Sequence, residues 1–441
     1  MKINQLSYRV NHIRKLFPFF SRHAVAYCDN AATTQKPRSV IDAVARFYTE
    51  ENAPIHRSVY KLAERATENI EQVRTQVAQF IGAQPHEIVF TKGTTESINL
   101  VAHSWARYNL KPGDEIVISE LEHHSNYLPW HALAQEHGVV LRTIPATING
   151  LDLTHLDTII TFKTRLVAIT HCSHVLGTYT DVYAITQCAR AVGAKILLDA
   201  AQSVAHRKIN VQELDIDFLA FSGHKMFAPT GIGILYVRSE FHDSLHPYQL
   251  GGGMVSLIPK NDKFFGDPES RSSLPARRSL WRRLGVNFRR KLVSREAAGY
   301  RGMPHLLEAG TLPTASIIGL GAAINFIHTH INFDTLKKHE AALCARLIEG
   351  FLTIPGITLL GNKNQLMQEG HIVSFIIDGF HPHDVAAYLD THSICVRAGN
   401  HCAQPLYDAL GIYGSIRVSF SIYNSFHDVD ILIKALQTLK I

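Results

Sequence analysis

Seven short β-type runs recur between residues 87 and 237: Glu87–Thr91, Glu115–Ser119, Val139–Ile144, Leu166–Thr170, Lys195–Asp199, Phe218–Phe221 and Gly233–Val237. Several are continuously apolar rather than alternating, the pattern of strands buried on both faces. Helical segments such as Ser97–Tyr108 and Val182–Val192 lie between them. This order predicts an α/β fold, a mostly parallel seven-stranded sheet covered by helices. After a stretch rich in Arg, Ser and Gly the pattern changes. A long helical region near Thr314–Gly350 precedes β-type runs at Ile372–Ile377, Ile394–Arg397 and Ser415–Phe420, and a last helix at Phe426–Leu439. These predict a smaller α+β domain. We expect a large domain over 29–317 and a small one built from 1–28 and 318–441, with no internal repeat.

The charge narrows the function classes. The chain of 441 residues carries +6, but residues 254–307 hold 12 Lys/Arg against 4 Asp/Glu. That stretch alone is +8 and the remainder is −2, so a general nucleic-acid-binding surface is not expected. The six cysteines form no CxxC and no zinc-like pairing with histidine, so no metal site is expected and the thiols read as reduced. The apolar run Leu16–Phe20 is short and broken by Pro18, unlike a secretion signal, and no run is long enough to span a bilayer. A soluble cytoplasmic protein is the expectation.

Two residues suggest chemistry. The apolar run from Lys195 delivers Asp199 at its C-terminal end, where open α/β sheets bind ligands. Alone, such an aspartate reads more readily as a structural cap on the next helix. Lys225 follows 26 residues later, in the loop Ser222-Gly223-His224-Lys225 after another strand. A carbonyl cofactor held as a Schiff base needs this pair. The amine forms the imine, and an acid at the ring nitrogen keeps the heterocycle protonated as an electron sink. Gly93-Thr94-Thr95-Glu96-Ser97 follows a strand and opens a helix, a setting that suits a phosphate, although an ordinary N-cap has the same sequence. Ser222 and His224 would add donors.

Together these residues resemble the class V aminotransferase superfamily of pyridoxal-phosphate enzymes. More narrowly, they are similar to the cysteine desulfurases of the SufS/CsdA type. Further linked motifs are Tyr27–Ala32, Ile55-His56-Arg57, Glu122-His123-His124, Asp199–Gln202, Glu308–Thr311 and Arg397–Pro405, so the likeness spans nearly the whole chain. The resemblance implies pyridoxal 5'-phosphate as cofactor, carried by Lys225. Asp199 pairs with the ring nitrogen, Gln202 bonds the ring hydroxyl, and His123 stacks on the ring and acts in proton transfer. Thr94, Thr95, Ser222 and His224 hold the phosphate, and Thr311 reaches the phosphate of the other subunit of a homodimer. Arg417 clamps the substrate carboxylate, with Arg397 and His174 nearby. Cys402 takes sulfur from L-cysteine as a persulfide, leaving L-alanine, and passes it to a SufE-like acceptor protein for iron–sulfur cluster assembly.

The chain also departs from that pattern. His174 stands where the family carries Asn, Leu312-Pro313 replaces Pro-Asn, Leu306-Leu307 replaces Arg-Phe, and Asn400 replaces a frequent His. The segment 254–307 is lengthened. It places Trp281, Leu284, Phe288 and Leu292 at helical spacing among Arg282, Arg283, Arg289, Arg290 and Lys291. That pattern suits a solvated insertion, an acidic partner or, less well, a membrane surface. Two other readings stay open: another class V reaction (selenocysteine lyase, epimerase or transaminase), and a weakly active paralogue acting as a scaffold.

Overall fold

The computed structural model describes residues 10–56, 58–257 and 299–439. The basic amphipathic pattern around Trp281, and Arg57, lie outside the described residues.

All seven expected strands form one sheet. Its order is Ile88–Thr91, Gly233–Val237, Phe218–Ser222, Lys195–Asp199, Thr164–Thr170, Glu115–Ser119, Val140–Ile144. Gly233–Val237 runs antiparallel to both neighbours, and the other pairings are parallel. The unbroken apolar runs have a simple cause. Ile196, Leu198, Leu219 and Phe221 enter the hydrophobic cluster on one face, while Leu197, Phe218 and Ala220 enter the cluster on the other. Side chains alternate between faces, but both faces are dry.

Register sets up the site. Asp199 lies opposite Ala220, so the C-terminal ends of the Lys195–Asp199 and Phe218–Ser222 strands stand side by side. Gly233 faces Thr91 on one side and Ser222 on the other. A Cβ on Gly233 would fall 2.3 Å from Gly93 Cα. Its absence lets the Gly93–Thr94 turn settle against Ser222.

The small lobe holds an antiparallel sheet in the order Ile357–Leu360, Ile372–Ile377, Ser415–Ser419, Arg397–Gly399. The helices Phe333–Phe351, Pro382–Thr391 and Phe426–Thr438 cover it and share its apolar cluster. Ala26–Tyr27 pairs in parallel with Ile394–Cys395, which joins the start of the chain to this lobe.

Two expectations are corrected. The helical region near Thr314–Gly350 is two helices, Thr314–His330 and Phe333–Phe351, bent 85° from one another. Ile331 leaves helical geometry, and the Asn332 side chain caps the second helix by accepting from Thr335 N–H. The expected boundary at 317/318 lies within the first of these helices, whose Ile317, Leu320, Ile324 and Ile327 join the hydrophobic cluster on one face of the seven-stranded sheet, as does Leu336 of the second. Ile394–Arg397 likewise splits into two short strands with different partners, because Arg397–Gly399 pairs with Ser415–Ser419. Among the described residues no single helix is long and apolar enough to cross a membrane.

Candidate active site

A cavity of about 220 Å³ opens at the C-terminal ends of the central strands. Of the residues singled out from the sequence, Thr94, Thr95, His123, His174, Asp199, Gln202, Ser222, His224, Lys225, Arg397, Cys402 and Arg417 all line it. Thr311 does not. It is exposed, and lines a separate cavity with His56, Gly252, Gly253 and Glu308.

Lys225 sits in the turn after the Phe218–Ser222 strand, with its amine in the cavity. Burial pushes the amine down to about 8, against the pull of Asp199, while Arg417 and Arg397 lower it further. Asp199 is buried on the neighbouring strand end and accepts from Ala201 N–H at 2.9 Å through Oδ1. Desolvation raises its carboxyl above the ordinary value, and Lys225 opposes that rise. Gln202 is fixed by donating through Nε2 to Ala31 O at 2.9 Å.

One end of the cavity collects anion-binding groups. Thr94 N–H donates to Ser222 Oγ at 2.9 Å, and the two hydroxyls lie 2.7 Å apart. Thr94 opens a helix whose N-terminus faces this end, the favoured place for a phosphate. His224, pushed down to about 4 by burial and by Lys225 and Lys36, stays neutral there near pH 7.

The other walls are histidine-rich. Ser125 N–H donates to His123 Nδ1 at 3.1 Å, so the ring's own proton resides on Nε2. Burial, with Lys225 next, depresses His123 to about 4. Its ring meets His174 edge-on, with centroids 5.0 Å apart. Glu122, buried beneath them, accepts from Ser119 Oγ, Asn126 Nδ2 and Thr170 N–H. It ties the histidine turn to the next strand, a role the sequence motif contained but did not specify. Arg417 is buried and donates through Nη1 to His174 O at 2.9 Å, with Asp29 Oδ1 3.3 Å from Nη2. Its Nε is buried without a partner. Arg397 lies opposite Arg417 on the adjacent strand.

Cys402 is half-buried and lines two cavities at once: the one just described, and an outer groove with His381, His383 and Tyr413. His401 and Cys402 both have left-handed backbone, with φ of 51° and 61°. Its loop is held by His124, which donates its N–H to Cys402 O at 2.9 Å and accepts from Gln404 N–H at 3.1 Å through Nε2. The sequence marked His124 only as part of the Glu122-His123-His124 motif. It also gave no signal for Lys36, whose amine donates to His224 O at 3.0 Å and steadies the lysine turn.

Elsewhere, His206, Glu340 and His371 bring ligand-type atoms within 4.8 Å of one another. His206 Nδ1 is already paired with Glu340 Oε1 at 2.7 Å, and the two imidazoles stack at 3.7 Å. Stacked rings direct their in-plane nitrogens side by side rather than toward one point.

The fold and cavity define a class first. Residues 26–273 and 279–432 match the family model described as aminotransferase class-V, and the chain belongs to that family. Within it, the chain is 38% identical to a cysteine desulfurase of Enterobacter sp. (strain 638), over 98% of this chain and 99% of that one. The structure resembles the cysteine desulfurase of Thermococcus onnurineus NA1 in its apo form, with a TM-score of 0.84, 38% identity and 97% of each chain covered. It also resembles the Escherichia coli cysteine desulfurase CsdA, with a TM-score of 0.82, 34% identity and 97% of each chain covered.

Proposed function

We propose that this chain is a pyridoxal-phosphate-dependent cysteine desulfurase that converts L-cysteine to L-alanine and carries the sulfur on Cys402. The observation that carries this reading is the convergence of Lys225, Asp199 and Cys402 on one cavity.

The donor set fits the cofactor. Lys225 is a buried amine for covalent attachment, Asp199 an acid for the ring nitrogen, and Gln202 a donor for the ring hydroxyl. Thr94, Thr95, Ser222 and His224 meet the phosphate at a cradle that a Cβ on Gly233 would close. When bound, pyridoxal phosphate supplies an electron sink that acidifies the α-proton of an amino acid.

The remaining work falls to the chain. Arg417 offers buried donors to the substrate carboxylate, a bidentate task suited to a guanidinium. Lys225 Nζ, neutral above about 8, is the base for the α-proton. His123 Nε2–H faces the cavity as a proton donor. Cys402 Sγ, as thiolate, attacks the substrate sulfur. The new S–S bond forms as the substrate C–S bond breaks, and the electron pair stays with the carbon. Protonation of that carbon gives alanine, so cysteine and one thiol yield alanine and one persulfide.

The finer partner assignments belong to the same proposal. The outer groove at Cys402 suits an acceptor protein that draws off the persulfide sulfur for iron–sulfur cluster assembly. Thr311, exposed and outside the cavity, suits a homodimer in which it serves the partner's phosphate. A cytoplasmic setting suits a reactive thiol chemistry.

The test is sulfide and alanine release from L-cysteine in the presence of a thiol reductant, with the persulfide mapped by mass spectrometry. Lys225→Ala and Cys402→Ala should each abolish release. Full sulfide release by the Cys402 variant would overturn the persulfide assignment. Light scattering checks the dimer.

A further inference from the structure

The Cys402 loop occupies a conformation that its residues do not favour alone. His401 and Cys402 are successive non-glycine residues in the left-handed region, with φ of 51° and 61°. Side chains with a Cβ seldom adopt it once, and rarely twice in a row. External contacts must therefore hold the pair. Cys402 N–H reaches Asn400 Oδ1 at 3.3 Å, within the loop. Cys402 O accepts from His124 N–H at 2.9 Å. The His401 carbonyl has a third kind of partner, the imidazole of His174, whose Nε2 lies 2.9 Å away.

A carbonyl only accepts, so His174 carries its proton on Nε2. The residue is 4% exposed and belongs to the cavity wall. Its own main-chain oxygen accepts from Arg417 Nη1 at 2.9 Å. One residue thus holds the thiol loop with its side chain and the buried arginine with its backbone.

We infer that His174 is a positioning residue for the Cys402 thiol, its Nε2–H holding the His401 carbonyl so that the left-handed pair presents Sγ to the cavity. The consequence for sulfur transfer rests on the desulfurase reading above, whereas the loop geometry does not. The requirement is for a donor at the reach of Nε2. Gln can place an amide N–H at that reach, Met matches Gln in length without a donor, and Asn is a methylene too short.

The test compares His174→Gln with His174→Met on the cofactor-loaded chain. The first readout is the rate at which iodoacetamide alkylates Cys402, followed by peptide mapping. It needs no turnover, so it scores the loop even if Cys402→Ala has disproved the persulfide role. Gln should label within about twofold of the parent. Met should label about three- to tenfold faster, the range set by one net hydrogen bond. The second readout is turnover of L-cysteine. Met should lower kcat by a similar factor with KM within about twofold, and Gln should restore it. If Gln and Met label alike, whether both match the parent or both depart from it, the donor is irrelevant and the inference fails. Should Met not fold, His174→Asn takes its place, and it must behave as a donor-less variant. Asn labelling like the parent would equally overturn the idea.

Discussion

Arg74 and Glu308 meet as a bidentate pair, at 2.7 Å and 3.0 Å, with both side chains sealed from solvent. The pair ties three segments together. Arg74 projects from the Lys61–Ile81 helix and also donates to Ile88 O at 2.8 Å. Glu308 Oε1 accepts from Phe90 N–H at 2.8 Å. The strand from Ile88 leads directly to the Thr94 turn, and the chain after Glu308 leads to Thr311.

Glu308→Ala leaves the buried Arg74 guanidinium with only one carboxylate, that of Glu71, which lies 2.9 Å from Nε and is partly exposed, and leaves Phe90 N–H unpaired. It should cost about 2–4 kcal/mol of stability, less than the loss of a sole partner would. Glu308→Leu combined with Arg74→Leu should recover part of that loss, because the desolvation cost of both charges disappears with them while Phe90 N–H and Ile88 O stay unpaired. Calorimetric melting of the single and double variants checks this. A single variant within about 1 kcal/mol of the parent would show that the pair is not isolated from water.

The histidines give stability a defined pH direction. Burial depresses His123 and His224 to about 4, and His401 to about 2, against an ordinary 6.5. Below 6.5 the unfolded chain therefore binds protons that the folded chain refuses. Their contribution is complete above 6.5 and erodes as pH falls toward 4. Urea midpoints at pH 7.5, 5.5 and 4.5 should decline in that order. The triple variant His123→Gln, His224→Gln, His401→Gln should make the decline shallower, with His171 and His305, which burial likewise depresses to about 4, carrying the rest. An equal decline in that variant would move the effect to other groups.

The phosphate cradle depends on a missing side chain. Gly233→Ala would place a Cβ 2.3 Å from Gly93 Cα, a clash with backbone rather than with a flexible side chain. The Gly93–Thr94 turn must then move away from Ser222, and the hydroxyl pair at 2.7 Å must part. Affinity for pyridoxal phosphate should fall about tenfold or more, the scale of one or two charge-assisted hydrogen bonds. Titration of the cofactor-free variant by absorbance measures it. Unchanged affinity would place the phosphate elsewhere.

What the sequence revealed, and what it hid, follows from range. Strands such as Lys195–Asp199 were legible because burial on both faces leaves an unbroken apolar run. Asp199 and Lys225 were legible because a strand end and a following turn are local features. The bend at Ile331–Asn332 was not, since apolar residues continue through it and the Asn332 cap is a single-residue signal. Arg74 reads as a surface position until Glu308, 234 residues away, is brought beside it. The tie between His174 and His401 spans 227 residues, so the sequence could mark His174 as unusual without saying what it holds.

Lys225 offers a final prediction with a sign. Burial lowers its amine from 10.5 to about 8, and Asp199 partly resists the drop. Only the neutral amine attacks an aldehyde. The rate at which cofactor-free chain captures added pyridoxal phosphate should therefore rise with pH with its midpoint near 8, well below the value for a solvated lysine. Asp199→Asn removes the charge that favours the ammonium form, so its midpoint should shift to lower pH even though its ring partner is lost. Stopped-flow absorbance across pH 6 to 10 gives both midpoints. A parent midpoint near 10.5 would mean that water reaches the amine, and an upward shift in Asp199→Asn would mean that the carboxylate does not act on Lys225 through the cavity.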